Sequence, residues 1–237
     1  MQQKKLVIVG NSVGIRIRPH LRQESRNYGQ RLVQLLNEQA DRDTLWVVEN
    51  LSFPRATLYD IQDHLPAIVA AQGDIYLLNL GVCDAATREI PRWMSDLILR
   101  PRKDWRSRLL GQWHERVVKP NRSFFVKLRG KSSWMTEQRF TREYRKLIRL
   151  IHGNTPGHLI CLSILPANER VERELPGSAA RYQKFNMIIA QLAQEEAAHF
   201  YELTDYEPEA DYPDGTHLND QGHLRLAQEL LPICLQF

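Results

Sequence analysis

Lys5-Leu6-Val7-Ile8-Val9-Gly10-Asn11-Ser12-Val13-Gly14 is a short apolar run that stops at a glycine and passes into a small polar turn. A continuous apolar run of this length reads as a strand covered on both faces. Met1 to Lys5 has the charge of a secretion-signal start, but the apolar stretch behind it ends at Val9, too short for a signal core. The segment is therefore expected to be the first strand of a cytoplasmic protein. Ser12 then sits where that strand leaves the sheet, beside a turn made possible by Gly10 and Gly14. A turn serine or helix N-cap would explain Ser12 equally well at this point.

Four further β-like runs follow at Thr44–Glu49, Asp74–Leu80, His158–Ile164 and His199–Leu203. Helical periodicity separates them. Ser25 to Ala40 places Tyr28, Leu32, Leu35 and Leu36 on one face, and Leu58 to Gln72 places Leu58, Ile61, Leu65, Ile68 and Val69 together, with Gly73 as its expected C-cap. Thr136 to His152 ends before Gly153, Ala179 to Ala197 follows, and a last helix runs from about Asp220 to Leu231. Strand and helix alternating in this order predict βαβ units, a five-stranded parallel sheet with helices on both faces, and hence an α/β chain of flavodoxin-like three-layer α/β/α architecture. In such sheets ligands bind beyond the carboxyl ends of the strands, so the loops there are the ones to search.

Two of those loops join Gly10–Gly14 as candidates. After the third strand comes Leu80-Gly81-Val82-Cys83-Asp84. Ahead of the last helix comes Pro213-Asp214-Gly215-Thr216-His217-Leu218-Asn219-Asp220. An aspartate and a histidine three apart across a glycine turn can meet, the carboxylate fixing the imidazole tautomer and stabilising its protonated form. A Pro-Asp-Gly turn with Asn219 or Asp220 capping the helix accounts for Asp214 and Gly215, but gives His217 no task. Ser12 and the Asp214/His217 pair fall on the same rim of the sheet, as a nucleophile, a base and an orienting acid require.

At these residues the sequence resembles the SGNH (GDSL-like) hydrolases. Gly10-Asn11-Ser12 is similar to the family's Gly-Asp-Ser block, Asn50 to Thr57 stands where its second block belongs, Gly81-Val82-Cys83-Asp84 resembles its Gly-x-Asn-Asp block, and Asp214 to Asn219 resembles its last block. The resemblance implies Ser12 as nucleophile, His217 as the base that returns the proton to the leaving alcohol, and Asp214 as its orienter. It further implies an oxyanion site of the Ser12 N–H, a backbone N–H at the second-block position held here by Arg55, and a third-block side chain held here by Cys83. The family's glycine and asparagine are thus replaced, and a thiol is a weak donor. The implied activity is a serine esterase or acylhydrolase cleaving a small acyl ester, O-acetyl included and carbohydrate-linked in one version, through an acyl-enzyme. A catalytically impaired relative binding a glycan or other anionic ligand is the alternative. Neither reading asks for a cofactor.

Composition bounds the rest. The chain has 237 residues, 43% hydrophobic and 25% charged, as an ordinary globular chain has. One domain over residues 1–237 is expected, with an insertion at about 84–133 that Pro91, Pro101 and Pro120 break into short helices. Trp93, Met94, Leu97, Ile98, Trp105, Leu109, Leu110 and Trp113 suggest that these helices pack on the body. No apolar run reaches membrane-spanning length. The 3 cysteines form no Cys-x-x-Cys pair, so neither a disulfide framework nor a metal site is indicated, and Cys161 and Cys234 read as small core residues. The net charge of +4 conceals 18 Lys and Arg against 6 Asp and Glu between Arg88 and Arg149. A basic middle of this kind suits an anionic ligand or self-association; nucleic acid is the weaker partner, since such patches are often merely solvated. Following the third strand, the insertion is also placed to overhang the site as a lid.

Overall fold

A computed structural model describes residues 2–15, 26–99 and 105–237. Its five strands are β1 (Gln2–Gly10), β2 (Thr44–Ser52), β3 (Ile75–Asn79), β4 (His158–Leu162) and β5 (His199–Tyr201). They form one sheet in the order β2-β1-β3-β4-β5, and every neighbouring pair is parallel. Gly10 pairs with Ser52 on one side and with Asn79 on the other, so β1, β2 and β3 end level at one rim. This is the expected α/β architecture, with helices on both sides.

The two faces are visible in β1 itself. Val7 and Val9 point into one core together with Tyr76, Leu78, Leu159 and Cys161. Leu6 and Ile8 point into the other with Ile75, Leu77, Ile160 and Leu162. Alternation within a fully apolar strand thus feeds two cores, which is why no polar residue interrupts it. The first core is closed by α2 (Leu58–Gln62), α3 (Leu65–Ala70), α8 (Glu137–Asn154) and α10 (Ser178–Glu195); the second by α1 (Tyr28–Gln39) and α12 (Asp220–Cys234). Asn27 caps α1 through a reciprocal bond with Gln30; Ser25, placed in that helix from the sequence, lies outside the described residues.

Helix ends differ from the sequence expectation in three places. The helix expected over Leu58–Gln72 is two helices, because Pro66 has no N–H to continue the first and instead sits in the first turn of α3. Its expected cap Gly73 is not the left-handed residue: Gln72 takes that conformation, at φ 46°. Helix α8 runs through Gly153 to Asn154.

The stretch after β3 contains α4 (Val82–Ala85), α5 (Arg92–Leu99), α6 (Trp105–Trp113), a π-helical turn His114–Val118, a 3₁₀ turn Lys119–Asn121 and α7 (Arg122–Leu128). An antiparallel bridge between Thr87 and Ser133 pins its two ends together, and the N–H of Arg88 donates to the Ser132 carbonyl at 2.9 Å. Its helices bury less than the sequence suggests. Trp93, Trp105, Leu109 and Trp113 are 64%, 67%, 59% and 38% exposed, so four of the residues expected to pack on the body face solvent instead. Arg100, Arg102 and Lys103 lie outside the described residues. Beyond it come α9 (Glu169–Glu174) and α11 (Pro208–Asp211). Among the described residues no helix is long and apolar enough to cross a membrane.

Candidate active site

Where β1 leaves the sheet, Asn11 is fully buried and its Oδ1 accepts the N–H of Val13 at 3.1 Å, capping the 3₁₀ turn Ser12–Gly14. Its own N–H donates to the Asn79 carbonyl at 3.3 Å, tying the turn to the end of β3. The carbonyl of Gly14 accepts from Asn50 Nδ2 at 2.7 Å, tying the same turn to β2. The turn is therefore anchored to both neighbouring strands, and Ser12 is held at their shared rim.

The loop before α12 delivers the other two groups. Gly215 adopts φ 81°, and its N–H donates to the Tyr212 carbonyl at 2.8 Å, closing a tight turn. Asp214 Oδ1 then accepts the backbone N–H groups of Thr216 at 2.9 Å and His217 at 2.7 Å. Its Oδ2 lies 2.8 Å from His217 Nδ1. Across the rim, His217 Nε2 lies 2.8 Å from Ser12 Oγ, between residues 205 positions apart in sequence. With the Nδ1 proton directed at the carboxylate, Nε2 is left free to accept the serine hydroxyl. The turn reading of this loop holds as well: Asn219 Oδ1 accepts the Gly222 N–H at 2.9 Å and caps α12. One segment thus both starts the last helix and presents the Asp214/His217 pair.

Burial favours the neutral form of Asp214, but the His217 side chain and the His217 and Thr216 N–H groups outweigh it, holding the carboxyl down to about 2. It stays ionised wherever the imidazole must be stabilised. His223, in the first turn of α12, is different in kind. Burial pushes it down to about 4, its Nδ1 accepts the Tyr28 N–H at 3.2 Å, and its ring stacks on Tyr28, so it is a neutral packing residue.

Arg55 and Cys83 line the same cleft as Ser12, Asp214 and His217, a space of about 280 Å³. Arg55 has φ 61°, the left-handed conformation that a glycine adopts freely and an arginine rarely takes. The position that the resemblance gives to a glycine thus has a backbone that favours glycine, but an arginine holds it. Cys83 is buried in α4, and burial pushes its thiol up to about 11, so it is a protonated, weak donor and not a nucleophile. Asp84 beside it is fully buried; its Oδ1 accepts the Leu58 N–H at 3.0 Å, fastening the loop after β3 to the start of α2. Burial raises this carboxyl to about 7.

The structure brings Ser12, Arg55, Cys83, Asp214 and His217 together around one cleft, and Arg88, Arg122 and Tyr182, not singled out in the sequence as site residues, also line it. The arginines come from the stretch after β3 and were visible only as part of its positive charge. Among the described residues, no group of His, Cys, Asp and Glu is arranged to hold a metal ion.

Similarity to known proteins agrees with this architecture. Over 97% of this chain and 93% of its own, a variant of an acetyl xylan esterase from Geobacillus stearothermophilus superposes with a TM-score of 0.64 at 15% identity. A lipase/acylhydrolase from Enterococcus faecalis does so with a TM-score of 0.63 at 14% identity, over 97% of this chain and 94% of its own. Catalytic mutants of the Geobacillus esterase, altered at a serine, an aspartate and a histidine, match over the same 97% and 93% at 15% identity, with TM-scores of 0.61 to 0.62. No curated protein matches this chain in sequence. Identities this low establish a shared fold; the family follows from the match of residues 9–225 to the GDSL-like lipase/acylhydrolase family. Spanning nearly the whole chain, and including the β1 turn and the loop before α12, that match makes this protein a member of the GDSL-like lipase/acylhydrolase family.

Proposed function

We propose that this protein is a serine esterase whose nucleophile is Ser12, with His217 as general base and acid and Asp214 as its orienting carboxylate. The observation that carries the reading is the continuous hydrogen-bonded line from Ser12 Oγ through His217 to Asp214, with 2.8 Å at each step. These are contact distances for proton transfer. Ser12 Oγ attacks the ester carbonyl carbon while His217 Nε2 takes its proton. The tetrahedral oxyanion meets the N–H groups of Ser12 and Arg55, the latter in a left-handed backbone at the cleft. Collapse expels the alcohol, which receives the proton from His217. Water, deprotonated by the same imidazole, then attacks the acyl-serine and releases the acid.

A small acyl ester on a carbohydrate is the proposed substrate, supported by the likeness to an acetyl xylan esterase and by the modest cleft. In this reading residues 84–133 are an insertion in a single domain, and they furnish one wall of the site.

A fluorophosphonate probe tests the assignment. It should label the protein stoichiometrically, peptide mapping should place the label on Ser12, and Ser12→Ala should abolish both labelling and turnover of acetyl esters. Full activity in Ser12→Ala would remove Ser12 from the mechanism. A second reading, a binding protein without hydrolysis, is favoured by the buried thiol of Cys83 where the family has an amide donor. It expects ligand in the cleft and no label on Ser12.

A further inference from the structure

Two arginines in the cleft, Arg55 and Arg88, touch no carboxylate among the described residues, although the charge of Glu89 reaches both. Arg55 Nη2 donates to Ser95 Oγ at 3.1 Å, and Arg88 Nη2 donates to the Cys83 carbonyl at 3.2 Å while its guanidinium lies 4.3 Å from the centre of the Trp134 ring. Neither makes an ion pair within 4.0 Å among the described residues, and Arg88 Nε is buried without a hydrogen-bond partner. The other cations of the wall are neutralised: Arg122 pairs with Glu89 at 3.4 Å and Glu174 at 3.2 Å, and Arg170 pairs with Glu174 at 3.1 Å. Partial burial and the nearby charge of Arg88 both disfavour the charged form of Arg55. Two guanidinium groups held in one cleft repel each other, and a bound anion would relieve that repulsion. The structure also keeps Arg55 in a left-handed backbone where glycine would be free of strain, so the side chain is retained against a conformational cost.

We infer that the ester taken by this cleft carries a carboxylate, which Arg55 and Arg88 bind while Ser12 attacks the ester carbonyl. The inference rests on the esterase reading and adds the charge of its substrate. A planar carboxylate suits two guanidinium groups, each of which offers paired N–H donors. Trp134 fixes one face of Arg88 and Ser95 fixes Arg55, so both donors are positioned before the substrate arrives.

The test compares esters matched except for the anion. Phenyl acetate and 4-acetoxybenzoate place the difference on the alcohol; 4-nitrophenyl hexanoate and mono-4-nitrophenyl adipate place it on the acyl chain. Wild-type protein should prefer the anionic member of one pair by about tenfold or more in kcat/KM, as charge-assisted hydrogen bonds provide, and the preference should shrink as salt is added. Arg88→Gln should lose the preference while still turning over the neutral esters, and Arg88→Lys should restore part of it. Equal turnover within both pairs, or a parallel loss on all four esters in Arg88→Gln, would overturn the inference. If wild-type protein hydrolyses none of the four, the esterase reading fails separately. The anion site is then read by calorimetry with 4-hydroxybenzoate and adipate: binding weakened about tenfold in Arg88→Gln supports it, and no binding to wild type ends it.

Discussion

Replacing Asp214 by asparagine changes one atom and should disable the site by a route that the hydrogen bonds spell out. Asp214 Oδ1 accepts two backbone N–H groups, from Thr216 and His217, at 2.9 and 2.7 Å. An asparagine has only one oxygen, and that oxygen must stay with the two donors, because an amide NH₂ facing them would leave three donors unpaired. The NH₂ is then placed at the Oδ2 position, 2.8 Å from His217 Nδ1. It donates, so Nδ1 must accept and the ring proton moves to Nε2. Nε2 then points a hydrogen at Ser12 Oγ and can no longer receive one. A wrong tautomer of this kind costs on the order of 10⁴ in kcat, about 5 kcal/mol of barrier. The fold should lose only about 1 kcal/mol, since the altered carboxylate is partly exposed and the backbone bonds survive in neutral form. That loss has a defined pH range. A carboxyl held at about 2 contributes stability that is fully present above its unfolded value near 3.8 and disappears as pH falls toward 2. Steady-state kinetics on 4-nitrophenyl acetate, with a thermal melt on the same samples, separate the two effects. Retention of kcat within tenfold of wild type, in a folded Asp214→Asn protein, would refute the tautomer argument and with it the role given to His217.

Three further outcomes are expected. Cys83→Asn should raise kcat by about 10² or more, with KM little changed, because it supplies a side-chain amide donor where a protonated thiol now stands; an unchanged kcat would show that Cys83 does not face the oxyanion. Asp84→Asn should stabilise the protein at pH 8 and leave it unchanged near pH 4. A buried carboxyl raised to about 7 keeps its proton in the folded state while the unfolded chain has lost it, so stability falls as pH rises from about 4 to 7. The gain is on the order of 2 kcal/mol, read as a melting temperature against pH, and an equal shift at both pH values would contradict it. Gly222→Ala should destabilise by about 2 kcal/mol in chemical denaturation, because its new Cβ would stand 2.5 Å from the Asp211 carbonyl oxygen where α12 packs against the end of α11; wild-type stability would mean that this approach has slack.

Much of the fold is legible in the chain because the determining signals are local. Leu6 to Val9 need two apolar faces whatever lies beyond them, and the four other strands and five long helical segments repeat the same logic at intervals that only a parallel sheet accommodates. Asp214, Gly215 and His217 are legible for a similar reason, since their geometry is set within one turn. What local pattern missed was also local, but outweighed by periodicity: Pro66 divided a helix that the apolar spacing joined. Trp93 and Trp105 read as core by composition alone, and their exposure depends on which face of a helix meets the body, which no spacing in so broken a stretch specifies.

By itself the sequence determined the parallel α/β sheet, the rim on which chemistry is placed, and the Asp214/His217 unit, because each is a matter of neighbouring residues and their periodicity. Only the tertiary structure decided that Ser12 Oγ comes within 2.8 Å of His217 Nε2, that Arg55 takes a left-handed backbone, and that Arg88 stands in the same cleft. The physical reason is distance along the chain. Groups far apart in sequence meet only when the strands that carry them are in register, and charge is neutralised, or left open for a ligand, by neighbours that folding alone brings together.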